Sequence, residues 1–127
     1  MADDSAMDTP EPLHVACLCA AWCRLCDGYR PVLEQVEAEL RAAGATPRWH
    51  WIDIEDEADL VGELDVETFP TIVVCDARRV RFAGPVTPQP ETLSRLLRAL
   101  LLDAAPGSDW AAVPPEVEAF AERLRLR

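Results

Sequence analysis

Cys23-Arg24-Leu25-Cys26 places two thiols where an apolar run gives way to a helical pattern. A helix N-terminus carries partial positive charge and free N–H groups, and both stabilise a thiolate, the reactive form of cysteine. Cys23, at the first turn, is expected to be the accessible sulfur, with Cys26 one turn deeper and more shielded. Such a dithiol can exchange disulfides. Cys17 and Cys19 lie just upstream, so four cysteines fall within ten residues. That clustering raises a metal-binding alternative, zinc or an iron–sulfur cluster, but zinc needs four converging ligands and usually takes them from two well-separated knuckles. Cys17 and Cys19 would share one face of one strand. With Cys75, they read as small buried hydrophobes. Cys17 also reads as a third thiol near Cys26. No metal site and no cofactor is assigned.

The elements that must position the pair follow from periodicity. Residues 13–19 are short, apolar and uncharged, as in a buried strand. From about Cys23 to Ala43 the pattern is helical, with Leu33, Val36 and Leu40 at spacings of three and four, Gly44 as the stop and Pro31 as an internal kink. Residues 48–54 read as a second strand and 56–64 as a short acidic helix. Thr71 to Cys75 is a third strand, and Asp76-Ala77-Arg78 connects it to a fourth over 79–83, ended by Gly84-Pro85. Residues 91–102 form a leucine-rich helix. A linker over 105–109 leads to a last helix near 115–126, whose Val117, Phe120, Ala121 and Leu124 make one stripe. That stripe could dock on the domain or on another protein. The order β-α-β-α-β-β-α describes a mixed sheet with helices on its faces.

A chain of 127 residues fits one domain of about 100–200 residues. Its 12 basic residues, all arginine, face 23 acidic ones, for a net charge of -11. That balance argues against nucleic acid and against an anionic membrane surface. The chain opens on Met1-Ala2-Asp3-Asp4 rather than a basic, then apolar, leader. Its longest early uncharged run, Leu13 to Cys23, is short of the roughly 20 residues that span a bilayer. The expectation is a cytoplasmic protein with thiols reduced at rest. Residues 1–12 read as a disordered acidic tail, 13–104 as the domain, and 105–127 as linker and terminal helix.

The cysteine pair and its surroundings resemble the thioredoxin superfamily. Trp22 precedes the first cysteine, and Pro31 follows the second by five residues. Thr68-Phe69-Pro70-Thr71 resembles the family's cis-proline loop before a strand, Gly84 its glycine after the last strand, and Ile52-Asp53-Ile54-Glu55 the strand between. The resemblance spans roughly residues 13–102. It implies a minimal α/β fold: a four-stranded mixed sheet, helices on both faces, and an extra C-terminal helix. It also implies thiol–disulfide exchange with protein disulfides, supplied by an unidentified electron donor. Cys23 would attack the substrate and Cys26 would resolve the mixed disulfide. Trp22, Phe69, Pro70 and Gly84 would contact the substrate. Arg24 and Leu25 stand where thioredoxins have Gly-Pro, and so modulate the pair. Counted without gaps, the family's buried aspartate falls at Cys17 and its partner lysine at Trp51.

Eight acidic residues and no basic one lie between Asp53 and Glu67, leading into the proline loop. They read either as a solvated face or as a negative rim that selects basic-faced partners. His14 and His50 read as strand residues without catalytic duty, and Trp49 and Trp51 as packing. With the buried acid–base pair missing, a non-catalytic protein-binding module stays open as the alternative to an oxidoreductase.

Overall fold

The computed structural model describes residues 13–87, 89–103, 110 and 112–127. The expected acidic tail at 1–12 and the linker at 105–109 lie outside the described residues. The element order is β1 (His14–Cys19), α1 (Arg24–Ala42), β2 (Arg48–Asp53), α2 (Ala58–Val61), β3 (Thr71–Cys75), β4 (Val80–Pro85), α3 (Pro90–Leu101) and α4 (Pro115–Arg125). The four strands form one sheet in the order β2-β1-β3-β4. β1 runs parallel to β2 and antiparallel to β3, and β3 runs antiparallel to β4. This is the expected four-stranded mixed sheet with helices.

β1 is buried at every residue, and the two-residue period of a strand divides it between two cores. Val15, Cys17 and Cys19 join Ile72 and Val74 on one face, under Tyr29, Val36 and Leu40 of α1 and Leu93, Leu97 and Leu100 of α3. Ala16 and Leu18 join Ile52, Val73 and Cys75 on the other. There they meet Val117, Phe120, Ala121 and Leu124 of α4, the stripe visible in the sequence. α4 therefore docks on its own domain. Fully burying a large apolar side chain is worth about 1.5–3 kcal/mol, so Phe120 and Leu124, both 0% exposed, are substantial terms in holding α4 down.

The arginines of α4 add polar ties. Arg123 donates from Nε to the Leu60 carbonyl at 2.7 Å and from Nη2 to that of Val61 at 3.0 Å. Arg125 Nε donates to the Asp76 carbonyl at 2.7 Å, and Arg127 pairs with Glu57 at 3.0 Å. Gly62, at φ 61°, ends α2 directly beneath the Arg123 guanidinium, where a Cβ would collide with it. Any other residue there is strained and displaces the arginine.

α2 and β4 differ most from the sequence reading. α2 is shorter because Asp53 Oδ1 accepts the N–H groups of Glu55 and Asp56 at 2.8 and 3.2 Å, holding the chain in a turn before the helix starts. β4 continues through Gly84-Pro85, opposite Ile72 and Thr71. Proline is tolerated there because β4 is an edge strand, which can lack a ladder donor. The β3–β4 connection is fixed by Asp76, whose Oδ1 accepts from the N–H groups of Arg78 and Arg79 at 2.8 and 2.7 Å. Among the described residues no helix is long and apolar enough to cross a membrane.

His14 and His50 are buried on neighbouring strands, with Nδ1 of one 3.0 Å from Nε2 of the other. Burial lowers the pKa of both, and nearby arginines add to the effect; His50 is brought down to about 4. The folded state thus prefers neutral imidazoles, while unfolded histidines protonate near 6.5. Their contribution is complete above about pH 6.5 and is lost as pH falls towards 4. The urea midpoint is expected to drop between pH 7 and pH 5, and His50→Gln is expected to flatten that drop. An unchanged slope in the variant would remove the histidine pair from the explanation.

Candidate functional site

The loop leaving β1 turns into α1 within four residues. Cys23 N–H donates to the Ala20 carbonyl at 2.9 Å, and Cys26 N–H to the Cys23 carbonyl at 3.2 Å. Cys23 is the N-cap of α1 in extended backbone, and the helix begins at Arg24. Cys23 is half-buried against the core, whereas Cys26, in the first turn, is 1% exposed.

The bridge found here differs from the expected Cys23–Cys26 pairing. Cys26 is joined to Cys19, with Cα atoms 5.8 Å apart, and Cys23 is a free thiol. The reason lies in strand phase. Cys19 ends β1 on the face that meets α1, and Cys26 turns inward on to that same face. Cys19, expected to be an inert buried cysteine, is thus a functional candidate that the sequence reading missed. Its signal was already present: it shares its face with Cys17, directly before a short turn into a helix that carries a second inward cysteine. The sulfurs of Cys17 and Cys19 lie 3.8 Å apart. Cys17 is therefore next to Cys19, and Cys26 takes Cys19 as its partner. Burial pushes the Cys17 thiol up to about 12 and the Cys75 thiol up to about 11. Cys75 faces the α4 side of the sheet, away from this cluster.

Trp22 is 68% exposed and Leu25 57% exposed. Trp22 meets Phe69 edge-on, with ring centroids 5.5 Å apart. The Phe69–Pro70 peptide bond is cis, and the Pro70 carbonyl accepts from Val86 N–H at 3.2 Å. Trp22 and Leu25, which flank Cys23-Arg24 in the chain, are thus exposed apolar groups, and Trp22 contacts the cis-proline loop through Phe69. Arg24 is exposed beside them, and Gly84 is half-buried in β4.

Beside the bridge an open cavity of about 300 Å³ is lined by Cys19, Cys26, Asp27, Arg30, Trp51 and Asp53, among others. The Arg30 guanidinium lies over Trp51, 4.5 Å from the ring centroid. Six of the eight acidic residues between Asp53 and Glu67 are exposed. Of the other two, Asp53 caps a turn and Glu57 holds Arg127. Among the described residues no group of three or more His, Cys, Asp or Glu side chains is arranged to hold a metal ion.

The sequence model of the thioredoxin family matches residues 4–97. Among solved structures, the germline-specific thioredoxin Deadhead of Drosophila melanogaster has a TM-score of 0.60 at 18% identity, covering 78% of this chain and 89% of that one. Mitochondrial thioredoxin 3 of Saccharomyces cerevisiae, in oxidised form, has 0.59 at 18% identity, with coverage of 78% and 89%. A thioredoxin of Trypanosoma brucei brucei has 0.59 at 19% identity, with coverage of 78% and 83%. No curated protein sequence matches the chain. The structural likenesses establish the fold. Together with the family match and a cysteine pair that forms a disulfide, they support a role of the thiol–disulfide oxidoreductase type.

Exposure orders the thiols. In the reduced, folded protein a limiting alkylating agent is expected to label Cys23 first, with Cys17 and Cys75 reacting only after denaturation; peptide mass spectrometry reads the order. Early labelling of Cys17 would show that its burial does not protect it.

Proposed function

This chain belongs to the thioredoxin family, and we propose that it is a thiol–disulfide oxidoreductase that acts on protein disulfides. The observation that carries the reading is a half-exposed Cys23 at the N-cap position of α1, one turn from the buried Cys26 and directly after the exposed Trp22, which packs edge-on against Phe69. Cys23 thiolate attacks one sulfur of a substrate disulfide, and the other sulfur leaves as a thiolate. Once Cys26 is reduced, its thiolate attacks Cys23 in the mixed disulfide and releases the second substrate sulfur. Trp22 and Phe69, with the backbone around Pro70 and Gly84, form the surface against which an extended substrate segment lies. Arg24 and Leu25 set the local charge and shape at the pair. An electron donor must restore the dithiol.

The exposed carboxylates between Asp53 and Glu67 lead into the same loop, which favours basic-faced substrates over acidic ones. A cytoplasmic setting belongs to the same proposal, supported by the three free thiols at Cys17, Cys23 and Cys75.

The exposed apolar surface also suits a binding module that forms no covalent link, and turnover separates the two. With dithiothreitol as the electron donor, the protein is expected to reduce insulin disulfides, and Cys23→Ser to lower the rate about 100-fold or more, to background. At low salt a basic model disulfide should be turned over faster than an acidic one. A folded wild-type protein without activity would replace the oxidoreductase by the binding module.

A further inference from the structure

Cys26 has two possible partners. Cys19 reaches it from the end of β1 and is bonded to it. Cys23 stands one turn away at the helix cap, its carbonyl bonded to the Cys26 N–H, and side chains three apart in a helical turn are neighbours. Cys23 is half-exposed, whereas Cys19 and Cys26 are 2% and 1% exposed. A large external reactant therefore meets Cys23 first, while the bridge lies behind it.

We propose that Cys19 is an internal resolving thiol that takes the disulfide inward, from Cys23–Cys26 to Cys19–Cys26. The step rests on the oxidoreductase reading of Cys23 and Cys26. Cys19, as thiolate, attacks Sγ of Cys26 in a Cys23–Cys26 disulfide. The Cys19–Cys26 bond forms, the Cys23–Cys26 bond breaks, and Cys23 leaves as a thiolate. The proton given up by Cys19 passes to solvent in the open cavity that both Cys19 and Cys26 line, and solvent reprotonates Cys23 as pH dictates. No electron enters or leaves, so the chain stays oxidised by two electrons. The oxidising equivalent then lies in the core, and the surface nucleophile is free again. Run backwards, Cys23 attacks Cys26 and returns the disulfide to the surface, where a reductant can reach it.

The test is a time course of linkage. Reduced protein is oxidised with glutathione disulfide, quenched in acid, alkylated, and cut with trypsin and chymotrypsin. Cleavage after Trp22 and Arg24 separates Cys19, Cys23 and Cys26 into different peptides. In the wild type a Cys23–Cys26 link is expected early and a Cys19–Cys26 link late, with Cys23 alkylated at the end point. In Cys19→Ser the link should stay at Cys23–Cys26, leaving Cys23 blocked. In Cys23→Ser the Cys19–Cys26 link should form at least about tenfold more slowly, because only buried sulfurs remain to react. Finding only Cys23–Cys26 in the wild type would overturn the proposal, as would equally fast Cys19–Cys26 formation in Cys23→Ser, a near-isosteric change at a half-buried cap. The map involves no protein substrate. A Cys19–Cys26 link without insulin reduction would sink the enzyme reading alone, and insulin reduction with only a Cys23–Cys26 link would sink this step alone.

Discussion

Cys19 and Cys26 tie the last residue of the central strand to the first turn of the helix that crosses over it. That link fixes where α1 begins relative to the sheet, and with it where Cys23 stands. The alternation of β1 determines the link. A shift of one residue would turn Val15, Cys17 and Cys19 towards α4, and would turn His14, Ala16 and Leu18 towards α1. Parallel pairing with β2 on one side and antiparallel pairing with β3 on the other lock the register. The sulfurs of Cys17 and Cys19 are therefore placed by the sheet ladder, whereas Cys23 is placed by the turn from Ala20 and the helix cap.

The opposite face needs a cover of its own. A central strand buried on both sides requires apolar layers above and below. α1 and α3 supply one, and α4 supplies most of the other. The family match ends at residue 97, before α4 starts, so a large part of the second layer lies outside the matched segment. Arg123 on the carbonyls of Leu60 and Val61 and Arg127 on Glu57 place cations of α4 against the acidic α2 region. Some of the segment's negative charge is thus spent inside the domain, and the outward carboxylates from Glu55 to Glu67 form the rim that leads to Phe69.

Much of this was legible in the sequence because periodicity encodes which face of an element is buried. The α4 stripe, the leucines of α3 and the strand starts at Arg48 and Thr71 all follow from local pattern. What was not legible depended on long-range geometry. The partner of Cys26 is set by how far α1 leans over β1, and no local spacing states that. A cation near a helix C-terminus is favourable whichever way it points, so local pattern does not place the arginines of α4. Their bonds to the Leu60, Val61 and Asp76 carbonyls arise only once α4 lies across the sheet. The surroundings of Trp22 likewise depend on long-range placement, since it packs against Phe69.

Cys17 and Trp51, the positions to which the resemblance assigns a buried aspartate and its partner lysine, both lie close to the bridge. A buried carboxylate near Cys26 would accept a proton without solvent. In its place stands a buried thiol whose pKa is pushed up to about 12, 3.8 Å from the sulfur of Cys19. Such a group stays protonated at neutral pH and is a poor proton acceptor. Trp51 lies under Arg30, and both line the cavity beside the bridge together with Asp27 and Asp53. The charged groups next to the disulfide thus border solvent instead of being sealed in the core. In the proposed exchange the proton therefore leaves by that opening. On the proposed reading the two tasks that a dithiol must combine are separated: Cys23 would meet the substrate, and the protons of Cys19 and Cys26 would pass through the cavity that both line.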